Sequence, residues 1–148
     1  MKTVKVLVAA VVVMVGGMSA AWAQMTPVGT WHSVDDKTGE AKSEIQISDN
    51  AGVLSGHVTK LLRKGADPAA VCTECKDGLK GKPMVGLPII TGAKKAEGKT
   101  VWEDGKILDP ENGKTYTLRL TPVEGGSKLE VRGSIGPFGR TQTWVRVQ

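Results

Sequence analysis

Apolar and polar residues alternate along several short stretches of this chain, and a period of two is typical of half-buried β-strands. Within 43–48, for example, Ile45 and Ile47 share one face, and Glu44 and Gln46 share the other. Clusters of Asp, Asn, Pro and Gly separate these stretches and predict tight turns. The predicted strands are 29–34, 43–48, 53–61, 86–90, 100–108, 115–120, 128–132 and 140–147. About eight strands at this spacing indicate an antiparallel barrel or sandwich.

Two of these stretches carry residues that weaken a strand. Pro88 cannot donate a hydrogen bond in a sheet, so 86–90 is predicted as an edge strand or a short irregular piece. The Asp104-Gly105 pair interrupts 100–108, which is therefore either one bent strand or two.

The segment 62–83 is long, basic and without alternation. Asp67 followed by Pro68 is typical of a helix N-terminus, because Asp caps a helix and Pro suits its first position. We therefore expect a short helical insertion of one or two turns, carrying Cys72 and Cys75.

Composition narrows the class of protein further. The chain has 148 residues with 19 Gly and 4% aromatic residues, which favours one domain of short strands. The net charge is +5, and it falls to +3 without Lys2 and Lys5. Such a mild charge gives no reason to expect a nucleic-acid partner. No cofactor is implied, and we expect a monomer.

The first 23 residues have the layout of a secretory signal peptide. Lys2 and Lys5 precede an apolar run of ten residues, 6–15, which is too short to span a membrane. Ala21-Trp22-Ala23 is an A-x-A cleavage site, so the mature domain is predicted to be 24–148. The alternative is a retained N-terminal anchor. A cleaved leader predicts a periplasmic protein with no membrane-spanning segment.

The chain as a whole resembles the bacterial domain-of-unknown-function 2147 family, over nearly all of 24–148. The resemblance implies a small exported protein with a lipocalin-like (calycin-type) antiparallel β-barrel, and it implies no catalytic residue and no particular ligand. It rests on Gly29-x-Trp31, Cys72-x-x-Cys75, Gly86-Leu87-Pro88-Ile89-Ile90, Trp102-x-x-Gly105-x-Ile107-Leu108-Asp109-Pro110-x-x-Gly113-Lys114-x-Tyr116, Leu129-x-Val131-Arg132-Gly133 and Gly139-Arg140-Thr141-Gln142-Thr143-Trp144-x-Arg146.

Barrels of this type begin with Gly-x-Trp on the first strand and keep an Arg on the last. Gly29, Trp31 and Arg146 are placed to fill these positions, with the guanidinium stacked on the indole at the barrel base. Such a cation–π contact contributes about 0.5–2 kcal/mol.

Cys72-Thr73-Glu74-Cys75 has three readings. Two cysteines in an exported domain most often form a structural disulfide. A redox-active pair would need a lowered thiol pKa. A zinc site would need two more ligands, for which only His32 and His57 exist in this sequence. We favour the disulfide and assign no metal site.

The last strand carries Arg140, Gln142, Trp144 and Arg146 on one face. If this face lines the barrel, its donors suit the head group of an anionic amphipathic ligand, with Trp144 as an apolar wall. Otherwise the arginines are surface or capping residues and Trp144 packs beneath a loop. Tyr116 is a further candidate lining residue.

The remaining features favour binding over catalysis. His32 and His57 have no nucleophile motif beside them and are interpreted as ordinary strand residues. The basic stretch 60–82 is either a solvated loop or a contact with the cell-envelope surface. We predict a binding protein for a small apolar or amphipathic ligand. The alternatives are an envelope interaction protein with a filled barrel and a thiol-disulfide protein.

Overall fold

The computed structural model describes residues 25–147, which form an antiparallel barrel closed by pairing of the last strand with the first. Within these residues the helical structure is one 3-10 turn, Glu124–Gly126. The predicted barrel of about eight strands is confirmed, while the predicted leader at 1–23 lies outside the described residues. The strands are β1 (Gly29–Val34), β2 (Ala41–Asn50), β3 (Val53–Leu61), β4 (Pro88–Lys95), β5 (Trp102–Asp109), β6 (Lys114–Val123), β7 (Lys128–Ile135) and β8 (Phe138–Arg146).

Alternation along the strands sends one set of side chains into the barrel and the other into solvent. On β2, Ile45 and Ile47 are buried, as the pattern predicts, and Gln46 is exposed. The buried core consists of Trp31, Ile45, Ile47, Leu54, Val58, Cys72, Cys75, Leu87, Ile89, Ile90, Ala93, Trp102, Leu118, Leu120, Leu129, Val131 and Trp144.

The prediction of an edge or irregular piece around Pro88 is wrong. β4 is a full member of the closed barrel, paired with β3 on one side and β5 on the other. Pro88 is the first residue of β4, the position at which a strand tolerates the missing N–H.

The interruption at Asp104-Gly105 is a β-bulge within a single strand. The register of β5 against β6 shifts between Trp102 and Gly105, and Asp104 takes a positive φ of 62°. A Cβ at Gly105 would lie 2.8 Å from the carbonyl oxygen of Thr91, so a glycine here allows β4 and β5 to approach closely.

The helix expected after Asp67 is absent, and the segment 62–87 is a loop of turns. The Asp67 carboxylate accepts from the N–H of Ala69, as a cap would. The chain then leaves the turn because Cys72 donates its N–H to the carbonyl of Lys82, and Met84 donates to that of Ala70. Pairing across the loop therefore replaces the intrahelical hydrogen bonds.

Arg146 and Trp31 meet at the seam where β8 pairs with β1. They are direct cross-strand partners, and the guanidinium carbon lies 4.2 Å from the centre of the indole ring. Arg146 also donates to the backbone carbonyls of Val28 and Gly126, at 2.9 and 2.6 Å. The Trp31 Nε1–H donates to the carbonyl of Pro27 at 2.8 Å. These contacts join the segment before β1, the β6–β7 turn and the seam.

We expect Trp31→Ala and Arg146→Ala to be non-additive in the free energy of unfolding. Either substitution removes the cation–π contact, so the second one costs less once the first is present. The expected coupling is about 0.5–2 kcal/mol in a double-mutant cycle measured by urea denaturation. The matched control is the cycle of Trp102→Ala with Arg146→Ala, which should be additive. Trp102 lies on β5, and β5 does not pair with β8. Additive losses for Trp31 and Arg146 would contradict an energetic link between them.

Candidate functional site

The barrel contains a cavity of about 440 Å³ at the end away from Trp31 and Arg146. Its walls come from the barrel strands and from the 62–87 loop, and they are mostly apolar. The apolar lining comprises Ile45, Val58, Leu61, Ala66, Ala70, Val71, Met84, Ile89, Ile107, Leu108, Pro110, Val131 and Trp144. Uncharged polar side chains in the wall include Ser33, Ser43, Tyr116 and Gln142, and the Oγ atoms of the two serines are 2.9 Å apart.

The face of β8 that carries Arg140, Gln142, Trp144 and Arg146 points into the barrel. Arg140, Gln142 and Trp144 line the cavity, and so does Tyr116 from β6. Trp144 is buried, whereas the side chain of Arg140 is 69% exposed at the mouth. Arg146 does not line the cavity, because it is held at the base by its contacts to Trp31 and to backbone carbonyls.

The indole N–H of Trp144 is a buried polar group in the wall of the cavity. Within residues 25–147, its indole Nε1 is a buried donor with no hydrogen-bond partner. Buried N–H groups are normally paired, so an unpaired one beside a cavity favours a ligand atom that can accept a hydrogen bond.

Ion pairs join three chain segments at the mouth of the cavity. Arg63, at the start of the 62–87 loop, has its Nη2 3.2 Å from Asp35 Oδ2 and 3.3 Å from Glu111 Oε1. Lys42 Nζ lies 3.3 Å from the same Glu111 oxygen. The loop, the β1–β2 turn and the β5–β6 turn are therefore linked through one guanidinium.

Hydrogen bonding at this mouth stabilises the charged form of Asp35. The backbone N–H groups of Lys37 and Thr38, together with the Arg63 guanidinium, lower the pKa of Asp35 from 3.8 to about 2. Arg140 is paired separately, with its Nη2 2.9 Å from Asp36 Oδ2. These cations at the mouth therefore already have carboxylate partners.

The two cysteines lie in the loop that covers part of this mouth, and they form the predicted disulfide. Both are almost fully buried, at 1% and 2% exposure. The β5–β6 turn packs directly on them. A Cβ at Gly113, which has a positive φ of 71°, would collide with the carbonyl oxygen of Glu74.

The histidines lie on the outside of the barrel, away from the cavity. His32 Nε2 is 3.3 Å from Glu44 Oε2, and Glu44 also accepts from the Thr59 hydroxyl at 2.9 Å. His57 is exposed on β3. Among residues 25–147 there is no group of three or more His, Cys, Asp or Glu side chains that could hold a metal ion. No helix in this part of the chain is long and apolar enough to span a membrane.

Arg63 and Glu111 are site residues that sequence reasoning missed. They are 48 positions apart, and neither belongs to a recognisable motif. The excess of basic residues in the loop was the one signal available in the sequence. It does not show which basic side chain forms an ion pair with a carboxylate.

A closed, eight-stranded antiparallel barrel with a cavity at one end is a lipocalin-like fold. The structure is similar to that of protein HP1028 from the human pathogen Helicobacter pylori, which is described as belonging to the lipocalin family. The TM-score is 0.69 at 20% sequence identity, and the likeness covers 82% of each chain.

The chain belongs to the bacterial family of uncharacterized proteins known as DUF2147, which it matches over residues 29–146. The resemblance inferred from the motifs is therefore confirmed. No curated protein is significantly similar to this chain.

We expect Asp35→Asn to reduce the stability of the protein at neutral pH and to flatten its response to acid. Because the folded-state pKa of Asp35 lies below its ordinary value, its stabilising effect is present above about pH 4 and is lost as the pH falls through about 2. Urea midpoints should differ between wild type and variant at pH 7 and converge near pH 2. A difference that stays constant over this range would show that the Asp35 charge does not matter.

Proposed function

We propose that this protein binds a small apolar or amphipathic molecule in the barrel cavity, and that its role is binding rather than catalysis. The observation that carries the proposal is the cavity of about 440 Å³ with predominantly apolar walls. Pockets for small molecules typically have about 300–1,000 Å³ and combine apolar walls with a few fixed polar groups. A barrel filled by its own side chains would leave no such space.

The polar groups of the cavity support an uncharged or weakly polar ligand over a strongly anionic one. Lys42 and Arg63 are already paired with Glu111, and Arg140 is paired with Asp36. A phosphate at the mouth would have to compete with these carboxylates. The unpaired indole N–H of Trp144 would instead be satisfied by a carbonyl, ether or hydroxyl oxygen.

We place this binding protein in the periplasm as a monomer. The signal-peptide pattern of residues 1–23 supports export, and a disulfide is favoured in an oxidising compartment. A thiol-disulfide activity is not proposed, because both sulfur-bearing residues are buried beneath the β5–β6 turn.

Filling part of the cavity should weaken binding without disturbing the barrel. Val131 on β7 lines the cavity, so Val131→Phe places an aromatic ring where the ligand would lie. The probe is the neutral fluorophore N-phenyl-1-naphthylamine, whose emission rises in an apolar site. We expect its affinity to fall by at least about tenfold, which corresponds to about 1.4 kcal/mol.

Val145→Phe is the matched control for this experiment, because Val145 lies on the outer face of the neighbouring strand β8. Its affinity for the probe should equal that of wild type, and thermal unfolding should show that both variants are folded. Equal weakening in both variants, or no binding by wild type, would contradict the cavity as the binding site.

A native mass spectrum of gently purified, exported protein should identify the cargo class. We expect a chain that begins at Gln24 and an additional mass that dissociates when the protein is denatured. A mass that includes residues 1–23 would contradict the predicted cleavage after Ala23. A bare mature chain that also fails to bind the neutral probe would contradict the binding function.

A further inference from the structure

The tip of the β7–β8 hairpin exposes the most accessible large apolar side chains of the described residues. Phe138 is 80% exposed and Ile135 is 52% exposed. Gly136 and Pro137 lie between them and form a two-residue connection. Phe138 is also the only phenylalanine in the sequence. Isolated exposed apolar residues are common, but an aromatic and an aliphatic residue paired at a tight turn form a defined feature.

This tip is a continuation of the inner wall of the cavity. Ile135 and Phe138 are direct cross-strand partners, so they lie opposite each other at the end of the ladder. The two preceding pairs of the same parity, Gly133 with Arg140 and Val131 with Gln142, all line the cavity. Because alternate residues of a strand share a face, the apolar pair extends the cavity face beyond the mouth.

The conformation of the tip is fixed by the hairpin. The ladder between β7 and β8 is unbroken from Lys128↔Val145 to Ile135↔Phe138, and Gly136 supplies the positive φ of 56° that a two-residue turn needs. The β7–β8 hairpin therefore holds Phe138 outside the barrel. Because the backbone of the tip is already ordered, little backbone entropy is lost when a partner covers the side chain.

The apolar surface area of the tip indicates which kind of partner it can bind. The exposed parts of the two side chains offer roughly 200–300 Å² of apolar surface, whereas a stable protein interface buries about 1,200–2,000 Å² in total. A lipid bilayer needs no matching surface, since apolar side chains enter it between the head groups. The tip is therefore too small for a stable protein interface and large enough to enter a membrane.

The charges around the tip indicate the type of membrane. From Arg132 to Arg140 the hairpin carries two arginines and no acidic residue. The Arg132 guanidinium lies against Gly139, next to Phe138, and donates to the hydroxyl of Thr141. Arg140 is largely exposed but is already paired with Asp36, so the charge that the tip offers to a membrane is that of Arg132. A basic residue beside an inserting apolar tip favours a surface of anionic phospholipids.

We propose that the β7–β8 hairpin tip docks this protein on an anionic phospholipid bilayer, with Ile135 and Phe138 inserted between the head groups. Docking in this way turns the cavity mouth toward the membrane, where apolar molecules are found. The tip lies outside the cavity, so membrane docking and ligand binding can be tested and can fail independently.

The test is flotation of the exported protein with vesicles of phosphatidylglycerol and phosphatidylethanolamine, compared with vesicles of phosphatidylcholine alone. Wild type should float with the anionic vesicles. The double substitution Ile135→Ser and Phe138→Ser should lower the partition coefficient at least tenfold. The matched control replaces Val145, near the other end of β8, and Val147, just beyond that end, by Ser. Each is 44% exposed, and this variant should float like wild type.

A second variant places a reporter at the tip without removing its apolar character. Wild type already contains Trp31, Trp102 and Trp144, so the reporter signal is the emission of Phe138→Trp minus that of wild type. This difference should shift to shorter wavelength when anionic vesicles are added, and brominated lipids should quench it. The proposal is overturned if wild type does not float, if the tip variant floats like the control, or if the emission of the Phe138→Trp variant does not move. Loss of a dimer in the serine variant, with no vesicle binding by wild type, would instead make a second copy the partner.

Binding of N-phenyl-1-naphthylamine without vesicles separates the two proposals. The Ile135→Ser and Phe138→Ser variant should bind the probe with wild-type affinity, since neither residue lines the cavity. Loss of probe binding in this variant would show that the tip belongs to the ligand site, and membrane docking would be overturned as its separate role.

Discussion

The barrel depends on a short seam, and a single cation–π contact lies within it. β1 and β8 are paired through two residues on each strand, Trp31 with Arg146 and His32 with Val145, whereas β7 and β8 are paired through eight. A sheet that fails to close would expose two edges and would not enclose a cavity. Arg146 strengthens the seam from both sides, because its guanidinium stacks on the indole of Trp31 and also donates to carbonyls that flank β1 and β7. Closure at the base is therefore the condition for a cavity at the mouth.

The two ends of the barrel are stabilised by different interactions. At the base, side chains fill the interior and backbone carbonyls accept hydrogen bonds from Arg146. At the mouth, the 62–87 loop has no regular structure of its own, and it is held by a disulfide, by pairing of Val71 with Pro83 and by the ion pairs of Arg63. Ion pairs exposed to water contribute little each, so the mouth is less firmly held than the base. That difference suits the proposed binding site, because the wall of the cavity belongs to the hydrogen-bonded barrel, whereas part of its entrance is the 62–87 loop.

Much of the fold could be predicted because it depends on local patterns. β1 and β3 begin and end where the alternation predicts, and Asp104-Gly105 proved to be an irregularity within one strand. The helix after Asp67 was wrong because a local capping signal was overridden by pairing between Cys72 and Lys82, which no periodicity reveals. The same limit applies to the site. The contact of Arg63 with Glu111 joins residues 48 positions apart, and only the closed barrel brings them together.

β8 shows how one strand face can serve several purposes. Alternation places Phe138, Arg140, Gln142, Trp144 and Arg146 on the same face, but it does not assign them a common environment. A strand rises about 3.3 Å per residue, so side chains two positions apart are separated by about 7 Å along the strand. This face begins with Phe138 at the exposed tip and continues with Arg140 at the charged mouth. It then reaches Trp144 in the apolar wall and ends with Arg146, which stacks on an indole at the base. The period of two determines which side chains point inward, and the height of each residue along the barrel determines what it contacts there.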